Sequence, residues 1–421
     1  MGPSLGLSLG WTILAGSLGV LIGTVFQAFH ASQGPTMGLP QMIQSRAQFG
    51  FRGVIVPLIA NLVSLVGYTV VATILISQGA TGMWGVNGVG AAVLISAVAA
   101  AVAIFGHGWV HGMFRLLFWI SLPLFLVLTA AILTGHAGGV IHASGGFNAA
   151  AFATQLAAAA SFNISAAPYV SDYTRYLPRR THPLAVISAV FFGSGTSAAW
   201  LIALGAWLAT HMGATDGLVA LRLSGDAIVP GFGSALAAAS ISALVATMAM
   251  SAYSAMLTLV TMADCFRPTL PGPRTKASLV IALAAAWTWG ALTLGGNAVT
   301  WVNAVLVGLL YGLAPWSAVN LIDFFVLRRG RYALMDLFTP RGVYGAWGAR
   351  GLAAYFLGFA ASLPFFVAPG LYVAPLARRL GGVDIGWLVS LAVSGVAYLI
   401  VSARFDAEAE AAAAARVAPG P

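Results

Sequence analysis

Charge is what this chain of 421 residues has least of: 10 acidic and 19 basic side chains amount to 7% of it. A soluble protein carries about a quarter charged residues, because its surface must face water. An ordinary globular enzyme is therefore excluded. Disorder needs low hydrophobicity, and 60% of this sequence is hydrophobic. An outer-membrane barrel needs strands that alternate polar and apolar residues, which does not fit either. Cysteine is nearly missing: Cys265 stands alone, so no internal disulfide and no cysteine-built metal site can form. There is no HExxH and no P-loop, and no carboxylate pair lies inside an apolar run. Those are the residues that metal-assisted hydrolysis and ATP-driven pumping need, so the chain is expected not to be an enzyme.

What is present is apolar length. Mean hydropathy is +0.92, and a run of about 20 apolar residues crosses a bilayer. Eleven such runs can be drawn, at 8–31, 53–77, 87–105, 114–133, 150–168, 183–210, 232–262, 277–295, 300–327, 351–368 and 384–401. The net charge of +9 suggests nucleic acid at first sight, but basic residues in cytoplasmic loops are the commoner cause in a membrane protein. If the N-terminus is outside, the inner segments are 32–52, 106–113, 169–182, 263–276, 328–350 and the tail. These segments and the adjoining helix ends then hold all basic residues except Arg222, Arg378 and Arg379. That asymmetry predicts a C-terminus in the cytoplasm. The expected organisation is one transport domain, 1–401, followed by a low-complexity cytoplasmic tail, 402–421, of which 407–421 is solvent-exposed. The expected location is a bacterial inner membrane, crossed many times. The expected partners are the bilayer and a small-molecule substrate, with no nucleic acid, no obligate protein partner and no cofactor.

Polar groups at bilayer depth are costly unless paired or facing a cavity, so they mark where function could lie. The fifth run reads AFATQLAAAASFNISAAPYV, with Phe162, Asn163 and Ser165 ahead of Pro168. A proline-interrupted polar span points to a transporter's binding site, although Asn163 could instead tie two helices together. In the second run Asn61, Ser64 and Tyr68 fall on one helical face with Thr69 beside it. A tyrosine among hydroxyls suits a flat, polar-edged ligand, and interhelical packing around Gly67 is the alternative. The seventh run has Ser240, Ser242, Thr247, Ser251 and Ser254, which is either a close-packing stripe or a cation and substrate face. Asp172 to Arg180 reads as a solvated loop or an inner gate. His107 and His111 are four residues apart but lack an acidic third ligand, so a loop pair is expected rather than a metal site.

Four stretches resemble the nucleobase:cation symporter family: GPTMGLPQMIQSRAQFGFRG, APYVSDYTRYLP, APWSAVNLIDFFVLRRGRY and LFTPRGVYGAWGARGLAAYFLGFAASLPFF. That family carries cytosine, purines, uracil, thiamine-like compounds, allantoin and hydantoins. The resemblance implies an all-α polytopic protein with a LeuT-type five-plus-five inverted repeat plus two C-terminal helices. It implies secondary-active import by H+ or Na+ symport. Its substrate site would fall on Tyr68, Thr69, Phe162, Asn163, Ser165, Thr247 and Ser251, with the substrate plane between Tyr68 and Phe162. A cation site would retain only Ser242 and Thr247, because Val245 and Ala246 stand where hydroxyls hold sodium in sodium-coupled members. The alternatives are a thiamine-precursor, allantoin or hydantoin permease, and, outside transport, a sensor or truncated remnant. The resemblance also implies a further helix ahead of MGPSLGLSLG, so that this chain has 11 of 12 helices. The expectation is that Met1 is an internal methionine or a mis-called start, to be tested by translating the DNA upstream of it.

Overall fold

All eleven apolar runs are helical in the computed structural model, which describes residues 2–141, 145–213, 216–294, 298–368, 372–410 and 412. The first four runs are α1 Leu9–Met37, α2 Ile55–Trp84, α3 Gly88–Phe105 and α4 His107–Leu133. The fifth is divided into α5 Ala149–Ile164 and α6 Ala167–Thr174. The sixth is α7 Pro183–Val190 and α8 Thr196–His211, joined by a π-helical turn at Phe191–Gly195. Next come α9 Gly217–Ile228, α10 Phe232–Asp264, α11 Pro273–Leu294, α12 Ala298–Ile322, α13 Ala349–Ser362 and α14 Gly386–Val401. Side-chain caps set several of the starts: Asn87 accepts from the Gly90 N–H (3.0 Å) and Asn148 from the Ala151 N–H (2.9 Å). Among the described residues, eight helical segments are long and apolar enough to cross a membrane. The fifth, tenth and eleventh runs are not among them. The fifth is split by its turn, and α13 and α14 have 14 and 16 residues.

The connecting segments sort to two ends. At one end the Phe51 N–H donates to Gly345 O (2.9 Å) and the Gln41 N–H to Asp172 (3.2 Å). Arg46 pairs with Asp264 (2.8 Å), Arg328 pairs with Glu410 (2.7 Å), and the His111 ring meets the Tyr173 ring at 5.5 Å. Those contacts join all six segments that come after odd-numbered runs. At the other end Ser8 N–H donates to Gly146 O (3.1 Å), Val140 N–H to His211 O (3.0 Å) and Ser224 Oγ to Ala137 O (3.0 Å). Two-ended sorting is what alternating spans produce. It also shows that the basic end is not simply loop charge. Arg46 and Arg328 are buried there in ion pairs.

Two helix groups face each other. In the first, α1 lies against α5 through Gly19 and Gly23, whose missing β-carbons would fall on the backbone of Leu156 and Ala160. Spacing of four between glycines lets two backbones approach in a bilayer, where apolar bulk gains nothing by burial. α6, α7 and α8 pack on the same helix. In the second group, α2, α3, α10 and α11 share one core around Leu65, Ala100, Met248, Ala252 and Trp287. Trp287 is fixed by its indole N–H on Ser96 Oγ (2.9 Å). Gly23→Val would drive a branched side chain into the Ala160 backbone, and overpacking of this kind costs about 1–3 kcal/mol or more. The variant is expected to unfold at lower temperature in detergent than Ser240→Val, whose hydroxyl only returns to its own helix at Leu236 O.

Residues up to Glu410 are attached to the fold, because the Glu410 carboxylate takes both the Nε and NH2 donors of Arg328 (2.8 and 2.7 Å). The last residues, 411 and 413–421, lie outside the described part.

Candidate functional site

A cavity of about 250 Å³ opens between the two groups. The first group lines it with Gln27 of α1, Phe162 and Asn163 of α5, Tyr169, Val170 and Tyr173 of α6, and Ser194 of the π-helical turn. The second lines it with Tyr68 of α2 and Thr247, Met250 and Ser251 of α10, while Phe114 of α4 closes one side. A larger groove of about 450 Å³ lies beside it against Phe118, Leu122, Phe125, Trp200 and Leu244. Its walls are mostly apolar, so it offers little to a ligand's polar edge. The smaller cavity has the chemistry.

Local sequence explains how its side chains are presented. Pro168 sits at the start of α6 and has no N–H, so the carbonyl four residues back, on Ile164, loses its helical donor. The chain turns at Ser165 and Ala166. Ser165 Oγ is then held by Phe162 O (2.8 Å) and by the Tyr68 hydroxyl (2.7 Å), a hydrogen bond between the two helix groups. The π-helical turn does similar work. One extra residue in a helical turn re-aims the side chains beyond it, and Ser194 there donates to Gln27 Oε1 (3.1 Å).

Five of the seven residues expected at the site do line this cavity: Tyr68, Phe162, Asn163, Thr247 and Ser251. Ser165 is buried behind it as the anchor of Tyr68. Thr69 turns away, its hydroxyl on Val66 O (2.8 Å). Asn61 and Ser64 are buried against α10, where Asn61 Nδ2 donates to Thr258 Oγ1 (3.0 Å). Among the described residues, Asn61 Oδ1 and Ser64 Oγ have no partner. The rings of Tyr68 and Phe162 meet at 6.3 Å and 85°. That makes a corner, not two parallel walls, so a planar ligand stacks on one ring and meets the edge of the other unless a ring turns. Asn163 Nδ2 donates to Thr24 Oγ1 of α1 (2.6 Å).

The cation pair is not gathered. Ser242 and Thr247 are five residues apart on α10, so about 140° separates them around the helix, and Thr247 Oγ1 donates to Ala243 O (3.0 Å). The His107 side chain lies outside the described part, and among the described residues no three His, Cys, Asp or Glu side chains gather as a metal site. The stretches GPSLG and GLSLG near the start carry the letters of a nucleophile elbow. Among the described residues they form a 3-10 turn and the opening of α1, which is not the strand–turn–helix that motif requires.

Sequence reading missed Gln27, Ser194, Tyr169 and Tyr173. A lone glutamine in an apolar run carries no positional signal, and neither the π turn nor the side to which α6 turns its tyrosines is visible in composition. It left Asp172 open between a solvated loop and an inner gate; the residue is 6% exposed.

From α6 a chain of amides runs at the end where the odd-numbered runs finish. Ser171 Oγ donates to Gln41 Oε1 (2.5 Å), Gln41 Nε2 to Gln33 Oε1 (2.9 Å), and Gln33 Nε2 to Asn320 Oδ1 (2.9 Å). Asn320 Nδ2 then reaches Gln48 Oε1 (3.4 Å), and Gln48 Nε2 donates to Asp323 Oδ2 (2.5 Å). His30 sits beside this chain, stacked on Trp316 at 4.6 Å and bonded to Ser317 Oγ (2.9 Å). Buried amides of this kind are stable only when each finds a partner.

Residues 1–390 match the family model described as a permease for cytosine/purines, uracil, thiamine, allantoin. The chain belongs to this family. A Bacillus subtilis protein bearing the name of a purine-cytosine permease, YxlA, is 32% identical over 403 residues, covering 94% of this chain and 86% of that protein. The purine-cytosine permease FCY21 of Saccharomyces cerevisiae is 24% identical over 417 residues, 90% of this chain and 74% of the yeast protein. Among solved structures, the nucleobase-cation-symport-1 transporter Mhp1, closed with bromovinylhydantoin bound, superposes with a TM-score of 0.72. That alignment covers 98% of this chain and 90% of Mhp1 at 18% identity. A sodium-coupled sialic acid symporter gives 0.51 at 14% identity, over 96% of this chain and 90% of that one. The fold of this permease is thus the LeuT-type helical fold that the resemblance implied.

Proposed function

We propose that this permease is a secondary-active importer of a nucleobase or closely related small heterocycle, driven by cation symport. The observation that carries the reading is the cavity itself. It lies between two separately packed helix groups, as a site that must open alternately to each side requires. Its aromatic corner offers a π-face, while Gln27, Asn163 and Ser251 offer donors and acceptors for a base edge. At about 250 Å³ it is below the roughly 300–1,000 Å³ of drug-sized sites, which favours a free base over a nucleoside. The names of the Bacillus and yeast relatives point to purines and cytosine; the hydantoin bound to Mhp1 keeps a hydantoin, allantoin or thiamine-precursor carrier as the second reading. The protein would lie in the bacterial inner membrane, with the basic end and the C-terminus in the cytoplasm.

Cells expressing a full-length version of the protein are expected to accumulate at least one of labelled cytosine, adenine, uracil and allantoin above an empty-vector control. Failure to take up any of them, with the protein present in the membrane, would refute the reading and favour a sensor or remnant. Asn163→Ala removes an edge partner and the bond to Thr24, so apparent affinity should fall by roughly 1–3 kcal/mol, the cost of leaving a buried polar group unpaired. An unchanged apparent affinity would place the substrate elsewhere.

A further inference from the structure

Among the described residues, four carboxylates are more than nine-tenths buried: Asp172, Asp323, Asp336 and Asp384. Three have structural partners that account for them. Asp323 is paired with Arg328, Asp336 holds the Val343 N–H (2.9 Å), and Asp384 is bonded to the Tyr311 hydroxyl (2.5 Å) and the Gly386 N–H (3.2 Å). Asp172 is placed differently. It lies just after the fifth apolar run, on α6, between Tyr169 and Tyr173, both of which line the cavity.

Its surroundings contain donors but no paired cation. Oδ1 accepts the Gln41 N–H (3.2 Å), and the Ser254 hydroxyl of α10 faces the carboxylate while lying 3.2 Å from the Tyr173 hydroxyl. Among the described residues no basic side chain reaches it at ion-pair distance. Arg175 is the nearest, but its guanidinium is directed to the Asp172 carbonyl (3.3 Å) and the Tyr176 hydroxyl (2.8 Å). The other titratable groups facing this corner are Tyr169 and Tyr173 from α6, Tyr253 from α10, and, beyond Gln41, His30 from α1. Asp172 therefore sits where α6 of one helix group, α10 of the other and the Gln41 segment converge, beside the cavity.

We propose that Asp172 is the protonation site that couples substrate movement to a proton in this permease. The proposal rests on the permease reading above and names its coupling ion and the residue that carries it. One proton from the water of the open cavity adds to a carboxylate oxygen when substrate is bound, and leaves to the water of the other end after release. Charged, the carboxylate accepts from both Gln41 and Ser254; neutral, it keeps one acceptor and turns one oxygen into a donor. Its state thus changes the bonds between the two helix groups, which is the contact that alternating access must remake. Burial pushes this carboxyl up to about 7, because loss of water around the charged form outweighs the Gln41 N–H, the Arg175 charge and the Ser254 hydroxyl. It therefore loads near neutral pH.

The test uses the purified full chain and Asp172→Asn, in detergent and in sodium-free proteoliposomes. The infrared carboxyl C=O bands of the native protein are expected to include one that titrates near neutral pH and is missing from the variant, while any band of the buried Asp384 carboxyl is common to both. Accumulation of labelled cytosine or adenine under an imposed pH gradient should fall at least tenfold in Asp172→Asn, while exchange of base for base, which needs no net proton movement, continues. A variant that accumulates as well as the native chain, a set of titrating carboxyl bands identical in the two proteins, or strict sodium dependence of native uptake would overturn the proposal. A native chain that titrates the band but neither binds nor exchanges any base would overturn the permease reading and the coupling role with it, and leave only the protonation site. Should Asp172→Asn not fold, Asp172→Glu decides: a displaced pH midpoint of accumulation supports the assignment, and an unmoved midpoint overturns it.

Discussion

Arg328→Ala is expected to lower the stability of this permease by about 3–5 kcal/mol, the range found when one partner of a buried ion pair is removed. Arg328 is 7% exposed and Asp323 is 0% exposed. The guanidinium pairs with Asp323 on one side and forks onto the Glu410 carboxylate on the other. It also lies over the ring of Phe405 at 4.7 Å. Removing it leaves Asp323 with only neutral donors, from Gln48, Tyr332 and Tyr398. Thermal unfolding in detergent measures the loss. Arg328→Lys keeps the charge but not the two-pronged geometry, so it should fall between the native protein and alanine. Glu410→Ala should cost less, since that carboxylate is 16% exposed. It should instead release the segment from Asp406 onward to proteases. An Arg328→Ala protein that unfolds at the native temperature would show that the pair is not what holds this end together.

The same pair shows where sequence reading stops. Apolar length gave the positions of the helices, because a run long enough to cross a bilayer has few alternatives. Pro168 gave the break in the fifth run for an equally local reason, a missing N–H. Burial of charge is not local. Arg46 and Asp264 are 218 residues apart, and an arginine in a loop has the same letter whether it faces water or a carboxylate. Counting Arg46 and Arg328 as loop charge put both at one end of the molecule and was silent about their work. Of the two readings of the Asp172 stretch, a solvated loop and an inner gate, the burial of Asp172 disfavours the first, and burial was not legible for the same reason. At the cavity, Tyr68, Phe162 and Asn163 were legible as polar or aromatic groups at bilayer depth. Gln27 and Ser194 were not, because what brings them in is a helix packed through glycines and a π-helical turn. Thr69 lies outside the cavity lining because a hydroxyl on a helix can satisfy itself on its own backbone, as Thr69 does on Val66.

Tyr68→Ala should weaken substrate binding by roughly 1–3 kcal/mol, the worth of one base stacked on an aromatic ring, which is about 5- to 150-fold in apparent affinity. Tyr68 is the aromatic ring that the second helix group brings to the cavity from α2. Its hydroxyl is spent on Ser165 (2.7 Å), at the turn between α5 and α6. Ring and hydroxyl can therefore be separated by mutation. Tyr68→Phe keeps the π-face and loses only the bond that joins the two groups, so its affinity should stay near native while transport rate changes. Phe162→Ala removes the other side of the corner, and because the two rings meet at 85° only one of them can stack face-on with a given base. The two alanine variants should therefore be unequal, and the larger loss identifies the stacking ring. Binding of labelled base to purified protein, measured beside uptake, distinguishes these outcomes. Equal affinity in native, Tyr68→Ala and Phe162→Ala proteins would mean that the base does not stack in this cavity at all.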